Sequence, residues 1–588
     1  MPKDWKFLPF DGSRVRDLSG RLQVSPVLAQ VLAARGYETP DSARAFLDSK
    51  LSELHDPETL PGIPEAADRV VAAIQQQRLV VIYGDYDVDG VTATSLLWHC
   101  LKQLGGRVDY YLPHRLEEGY GLNCEALEKL HAADPNCLVV SVDCGICSRR
   151  EAQRARELGL ELVVTDHHQF EDELPDAAVL VHPRLPGSTY PFPDLCGVGV
   201  AFKLAWAICT RLGDGRKASP TMRNFLLSAI GLTAIGTVAD VVPLVGENRV
   251  LVRYGLQALK ERASLGLRAL FEITRLHEKP HFEAEDVGFT LAPRINAAGR
   301  LGQARLAVEL LTTDQPERAR MLAGYLDEQN KTRQQVERKI LKQAREQVTD
   351  HPDWATHPVL VLAHHEWHPG IIGIVASKIA EQFEKPTVMI ALNAQEGTGQ
   401  GSARSYAGYD LHSGLSQCAS HLLKFGGHQA AAGLKIEAGQ IAAFREAFCA
   451  VAGGFTPEAE ETQLRIDAQV LLSDLSVRSV TDLDRLGPFG RSNPRPVLMA
   501  AEVELAEPPR TMGEGDRHLS LRVRHHNKVL RAVAFGRGEW AADLSAAGSQ
   551  RLSISFAPVI NRFRGQENVE LHLIDWRPCQ PPAAVTNC

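Results

Sequence analysis

The sequence predicts an α/β protein that opens with a doubly wound parallel sheet. It continues through a mostly helical stretch ending in one long helix, then a second α/β unit, and closes in a small β-barrel. Three observations carry this. Between about residues 60 and 210, short apolar runs without polar alternation are separated by amphipathic helices, the pattern of a parallel sheet covered on both faces. PERARMLAGYLDEQNKTRQQVERKILKQAREQV has no proline after its first residue. Past residue 462, short alternating strands follow one another closely between turn residues, as in a barrel.

The elements follow in order. Residues 1–60 form an N-terminal segment. Residues 61–215 hold the strands LVVIYG, RVDYYLP, LVVSVDCG, LELVVTDHH and AVLVHP, with helices such as VTATSLLWHCLKQL and GVGVAFKLAWAICTRLG between and after them. Residues 216–350 read as helical, and their last helix carries eight Lys/Arg against five Asp/Glu from Glu317 to Glu346. That balance suits a solvated connecting helix with i,i+4 charge pairs better than a dedicated nucleic-acid stripe. A second α/β unit, 351–458, starts at HPVLVLAH. LSLRVR, VLRAVAF, LSISF and VELHLI mark the barrel, 459–578. In LSLRVR, Leu519, Leu521 and Val523 face one way and Arg522 and Arg524 the other. Arg510 to Arg537 holds seven Lys/Arg against two Asp/Glu, which fits either a solvated exterior or a positive face for a nucleic-acid backbone. The tail from 579 to 588 reads as disordered.

At 588 residues, 44% hydrophobic and 23% charged, the composition is that of a soluble protein of about three or four domains. The net charge of −8 argues mildly against wholesale nucleic-acid binding but leaves local basic stripes open. The N-terminus lacks the basic start and apolar stretch of a signal peptide. The longest apolar run, Phe225 to Ala239, falls short of a membrane span and reads as a buried core helix. Eleven cysteines at irregular spacings fit a reducing cytoplasm. The lone CxxC, Cys144 and Cys147, has no second pair to make a zinc site and reads as two small buried residues beside Asp143.

The chemistry concentrates at strand ends. LVVIYG runs into Asp85, Asp87 and Asp89, LVVSV into Asp143, and ELVVT into Asp166, His167 and His168; Asp240 follows an apolar run of its own. In a parallel sheet the C-terminal strand ends converge on one edge. Clustered carboxylates raise one another's pKa and destabilise the fold unless cations sit among them, and no Lys or Arg adjoins these groups in sequence. Mixed Asp/His donors suit Mn²⁺ or Mg²⁺. An EF-hand is excluded, because its twelfth position is Leu96 rather than a bidentate Glu. HHEWHPG is excluded as a zinc-protease motif, since His368 comes one residue too soon and a proline follows.

These residues resemble the DHH phosphoesterase superfamily, whose name is the triplet present here as Asp166-His167-His168. DYDVDG, GTVADVVPL, RINAAGRL, GSARS, KFGGHQAAAGL and PFGRSNPRP extend the likeness, in the same order over nearly the whole chain, to its single-strand exonuclease branch. The resemblance implies a DHH domain, a DHH-associated second α/β domain, an OB-like nucleic-acid-binding barrel and an active site in the cleft between the first two. It implies two Mn²⁺ or Mg²⁺ ions held by Asp87, Asp89, Asp143, His167 and Asp240, with Asp143 as the bridge, His168 as the catalytic group, and Asp85 as a ligand or a supporting group. Tyr83 stands where simpler superfamily members carry a His. It implies a 5′-phosphate pocket at Arg115, Ser402 and Arg404. Arg294, Asn296, Arg300, Gly427 and His428 are further candidates for backbone contact. Ser492 and Asp327 depart from residues frequent in relatives, Gly and Asn, without touching the proposed chemistry. The expected activity is 5′-to-3′ hydrolysis of single-stranded DNA to mononucleotides in repair and recombination. The enzyme would be a cytoplasmic monomer, with single-strand-binding protein and a helicase as partners and no membrane. The alternatives are a phosphodiesterase for cyclic dinucleotides or very short RNA, and a non-catalytic replication scaffold.

Overall fold

The first strand, β1 (Val80–Gly84), is buried along its whole length because alternate residues enter two different cores. Val80 and Ile82 join a large cluster with Val91, Leu96 and Val198, while Val81 and Tyr83 join a second with Leu127 and Ala152. In this computed structural model β1 lies in a five-stranded sheet with β2 (Val108–Tyr111), β3 (Leu138–Val142), β4 (Glu161–Thr165) and β5 (Val179–Val181), in the order β2-β1-β3-β4-β5. Every pairing is parallel and both faces are covered, so the sheet is doubly wound. The strand order reverses between β1 and β3, which makes the C-terminal ends of these two strands the switch point where such sheets bind ligands. The structure describes residues 4–115, 117–170, 173–213, 217–455, 463–548, 550–563 and 565–579. The tail residues 580–588 and the 458/459 boundary lie outside them.

Helices α1 (Val88–Gln103) and α2 (Gly197–Arg211) pack on the sheet; α3 (Pro220–Ala239) packs on both of them, and α4 (Gly246–Arg262) lies against α3. Helix α1 starts three residues earlier than the apolar pattern suggests, because Asp87 caps it by accepting from the N–H groups of Asp89 and Gly90. Helix α3 is a correction of length. It has 20 residues and is long and apolar enough to cross a membrane, since Pro220 starts it ahead of the run from Phe225; 61% of its apolar window is buried inside the protein.

Helix α5 (Ala292–Arg300) leads toward α6 (Pro316–Asp350), the long helix, 35 residues in one piece. Its i,i+4 pairs are present, as Asp327–Lys331 and Arg333–Glu337, but it is not simply solvated. Ala319, Leu322, Leu326, Ile340, Ala344 and Val348 bury one stripe. The second α/β region is a mixed sheet, β6 (Leu360–His364), β7 (Thr387–Asn393), β8 (Thr398–Arg404), β9 (Lys424–Gly427) and β10 (Ala431–Glu437), ordered β9-β10-β8-β7-β6. Only β6–β7 is parallel. Helix α7 (Ile372–Phe383) packs on β7 and β8.

All of this belongs to one compact unit, Leu51–Glu461 with Gly490–Ser492; the other unit joins Met1–Lys50 to Thr462–Phe489 and Asn493–Cys588. In that second unit Asp4–Phe7 pairs in parallel with Gln463–Ile466. Leu18, Leu28, Leu32 and Leu47 from three N-terminal helices share a core with Leu519, Leu521, Phe556 and Leu571 from the C-terminal strands. Those strands include β11 (Leu498–Leu505), β12 (Arg510–Met512), β13 (His518–His525), β14 (Lys528–Ala534), β15 (Leu552–Phe563) and β16 (Gln566–Pro578). They run in the order β11-β15-β16-β14-β13-β12, and β11 also pairs with β13 at Glu504 and Leu505. The alternation read in LSLRVR is present, with Leu519, Leu521 and Val523 buried and Arg522 and Arg524 exposed.

Candidate metal centre

Five elements deliver the site. Asp85 and Asp87 leave β1, Asp89 sits in the first turn of α1, Asp143 leaves β3, His167 and His168 leave β4, and Asp240 ends α3. His167 Nε2 lies 3.2 Å from Asp143 Oδ1, 3.6 Å from Asp240 Oδ2 and 3.9 Å from Asp89 Oδ2. Among the described residues, Asp89, His167 and Asp240 form one group with donor atoms within 4.8 Å of one another, Asp85, Asp87 and Asp143 form another, and Asp143, His167 and His168 a third between them. The structure therefore brings together every residue expected at the cation site.

Backbone geometry makes room for this crowding. Gly197 N and Val198 N, at the start of α2, donate to Asp89 at 2.7 and 2.8 Å, an arrangement that draws on the positive end of the helix. A Cβ on Gly197 would stand 2.4 Å from Asp143 Oδ1, one on Gly236 2.6 Å from Asp89 Oδ1, and one on Gly90 2.5 Å from the Asp85 carbonyl. Asp143 itself adopts φ +62°, a strained left-handed conformation of the kind that gathers at functional sites.

The electrostatics point to missing positive charge. Burial, then repulsion from neighbouring aspartates, raises Asp89 to about 7 and Asp240 to about 8, and drives Asp85 and Asp143 well above the usual carboxylate range. Asp85 Oδ1, Asp143 Oδ1 and His167 Nε2 are buried without any hydrogen bond. Burial, and then the charge of His168, lowers His167 to about 3, which keeps its ring neutral and able to ligate. These orphaned donors fit divalent cations, whose charge would satisfy them.

Asp166 does different work. Although burial opposes its ionisation, the hydrogen bond and charge of His168 hold it far below the ordinary range. Its Oδ1 accepts from His168 Nδ1 at 2.7 Å and from two backbone N–H groups, and its Oδ2 from Ile146 N. The same pairing outweighs burial and raises His168 to about 9. The Tyr120 hydroxyl sits 3.1 and 3.2 Å from the ring nitrogens of His168 and donates to the Asp143 carbonyl at 3.3 Å. Sequence reasoning assigned no role to Tyr120, Gly197 or Gly236, and only EGYGL beside the candidate Arg115 hinted at the first. Tyr83 points into the opposite core, where its hydroxyl meets Gly121 O and Asn123 Nδ2.

A second cluster is cationic. Burial, followed by the charges of Arg115, Arg333 and Arg404, lowers Arg300 to about 10, and burial followed by the charge of Arg115 lowers Arg404 below its usual value. Arg115 stacks over Tyr86 at 4.7 Å. Arg300 Nη1 donates to Gly370 O, and Arg404 Nη1 to Ser402 Oγ and Ala403 O. Gly373, in the first turn of α7, faces Arg404 and Ser402; a Cβ there would stand only 2.7 and 2.9 Å from them. The remaining candidates are more dispersed. Asn296 Oδ1 is buried without a partner. Arg294 is held by Asp327 at 2.9 Å, so the departure at Asp327 adjoins a candidate backbone contact while staying outside the proposed chemistry. Gly427 and His428 lie on an exposed hairpin with local hydrogen bonds, two strands from the row of Ser402 and Arg404. Cys144 is buried but Cys147 is exposed, contrary to the reading of both as buried. Ser492 occupies φ +62°, which explains why glycine suits that position.

Fold and site together define a DHH-family protein. The DHH family, N-terminal domain, matches residues 79–235, the DHHA1 domain residues 356–454 and the RecJ OB domain residues 466–575. The chain belongs to the RecJ family. It is 37% identical over 572 residues to the single-stranded-DNA-specific exonuclease RecJ of Bacillus subtilis, covering 97% of this chain and 70% of that one. It is 33% identical to the Escherichia coli protein of the same name, covering 93% and 95%. Among solved structures, RecJ from Thermus thermophilus in complex with Mn²⁺ superposes with a TM-score of 0.82 at 31% identity, covering 98% of this chain and 80% of that one. Its complex with Mg²⁺ gives 0.76 at 30% identity, covering 98% and 79%.

Proposed function

We infer that this protein is a single-stranded-DNA-specific exonuclease that works from the 5′ end and releases mononucleotides, in DNA repair and recombination. One observation carries the reading: the buried, under-satisfied carboxylate–imidazole cluster at the switch point, in a chain matched along nearly its full length by exonucleases of that name. Asp89, His167 and Asp240 would hold one Mn²⁺ or Mg²⁺ ion and Asp85 with Asp87 the second, with Asp143 between them. When bound, such a pair lowers the pKa of water and neutralises charge on the attacked phosphate.

The chain's own groups do the rest. Asp166 fixes His168 Nδ1 as a donor, so Nε2 is left to hold a proton toward a phosphate oxygen or the leaving oxygen. Arg115, Arg300 and Arg404, with Ser402 and the first turn of α7, form a cationic seat suited to a terminal 5′-phosphate, which gives the reaction its polarity. Arg294, Asn296, Gly427 and His428 serve the following backbone. The exposed Arg522 and Arg524 on β13 offer the strand a positive face. The enzyme acts as a cytoplasmic monomer on strands supplied by a helicase and single-strand-binding protein. The RecJ OB domain match favours this reading over a phosphodiesterase of cyclic dinucleotides or very short RNA.

End-labelled oligonucleotides test it. With Mn²⁺, a 5′ label on a single strand should appear at once as mononucleotide, a 3′ label should persist in a shrinking ladder, and a blunt duplex should survive. Release of the 3′ label first, or equal loss of duplex, would overturn the assignment.

A further inference from the structure

A pocket of about 520 Å³, within the roughly 300–1,000 Å³ of small-molecule sites, opens among the helices of the larger unit. Its walls are the last turns of α1, the first half of α3, the end of α4 and the start of the helix Leu265–Thr274. It is separate from the metal centre. His99 stands about 15 Å along α1 from Asp89, and Leu232, the lining residue of α3 closest in sequence to Asp240, about 12 Å from it. The lining suits an anion that carries a flat ring. Although the chain has a net charge of −8, no Asp or Glu lines the pocket. Arg262 does, and it makes no hydrogen bond or ion pair among the described residues. Two helices begin at the wall, at Pro220 and at Leu265, and their positive ends add to its charge. Phe225 and Leu232 give an apolar side with one aromatic face. The side-chain amides of Gln103 and Asn224, also unpaired among the described residues, can both donate and accept. His99 Nε2 lies 2.9 Å from the Leu311 carbonyl, which can only accept, so Nε2 carries the proton and Nδ1 is left as an acceptor.

We propose that this pocket is a second nucleotide site, which binds a free 5′-deoxynucleoside monophosphate apart from the metal centre. The identity of the nucleotide rests on the exonuclease reading, since that reaction releases such molecules. The phosphate meets Arg262 and the two helix starts. The base lies against Phe225, and its polar edge reaches the two amides and His99 Nδ1. A bare phosphate would use only the charged end of the pocket, and a nucleoside only the rest.

Calorimetric titration of the whole chain with dAMP in EDTA tests this, with R404A as the background so that the other phosphate seat is disabled. R404A should still bind one dAMP. Adding R262E should weaken Kd at least about ten-fold, the loss of one charge-assisted contact. Adding N224D, which sets a carboxylate at the wall, should weaken it as well, and N224D decides the question if R262E lowers the melting temperature. Inorganic phosphate and deoxyadenosine should each bind at least about ten-fold more weakly than dAMP, for the same reason. Absence of dAMP binding to R404A, or a Kd unchanged by a stably folded R262E or N224D, would overturn the site. Phosphate binding as tightly as dAMP would make it a simple anion site and overturn the nucleotide. Arg262 stands outside the catalytic machinery, so R262E alone should digest a 5′-phosphorylated single strand with Mn²⁺ at the wild-type rate. If the wild type releases no nucleotide from that strand, the exonuclease reading fails, and the titrations judge the pocket separately.

Discussion

The two charged clusters of the larger unit are opposites built on one plan. Around Asp143, carboxylates are buried together and three donor atoms are left with no hydrogen bond. Around Arg300, guanidinium groups are buried together, but Arg300 and Arg404 rest partly on backbone carbonyls. Each cluster raises its own electrostatic energy, and each is relieved by a partner of the other sign. The acidic cluster lacks ligating contacts as well as charge, so it calls for cations held inside it. The basic cluster lacks mainly charge, so it calls for an anion that comes and goes. One reads as a resident cofactor site, the other as a substrate seat.

The largest test breaks the first half of that contrast. Asp143→Asn should reduce hydrolysis by more than about 100-fold, beyond the range for residues that merely support a ligand, while single-strand binding measured by fluorescence anisotropy stays close to wild type. Parallel loss of binding would mean that the fold had failed. Arg404→Ala probes the second half. Removing one charge-assisted contact should raise KM for 5′-phosphorylated strands by about 10-fold or more and leave 5′-hydroxyl strands little changed. An equal effect on both ends would move the phosphate seat elsewhere.

A third prediction follows from the raised aspartates. Their folded pKa values, about 7 for Asp89 and about 8 for Asp240, exceed the ordinary 3.8. The folded state therefore holds protons that the unfolded state has released, and this stabilisation is full at low pH and lost as pH rises through 7 to 8. In EDTA the melting temperature should fall as pH rises from about 4 to about 8, Asp89→Asn should flatten that fall, and Mn²⁺ should stabilise most at the alkaline end. A melting temperature indifferent to pH would refute it. The smallest effect concerns Arg294: Asp327→Ala frees its guanidinium, and KM for single strands should shift by no more than about five-fold, the scale of a partly exposed ion pair.

Much of the acidic cluster was legible because each charged residue stands at the end of an apolar run, a contrast that survives without knowing the fold. The long helix and the buried and exposed faces of LSLRVR followed from periodicity. What stayed hidden depends on close approach between distant segments. Nothing around Gly197 or Gly236 announces that a methyl group there would collide with Asp143 or Asp89. Tyr120 looked like one aromatic in a loop, and Asp327 like a harmless variation until its partner Arg294 was placed. The N-terminal 50 residues were silent because their apolar faces meet strands more than 400 residues away.

That last arrangement has a consequence for biosynthesis. Leu18, Leu28, Leu32 and Leu47 leave the ribosome tens of seconds before Leu519 and Phe556, at about 5–20 residues per second. Until then the first helices carry a greasy face with nothing to cover it, and a chaperone is the natural custodian. A chain cut near residue 460 would keep that face bare for good, so a soluble truncation should begin after Lys50 as well as end before Thr462.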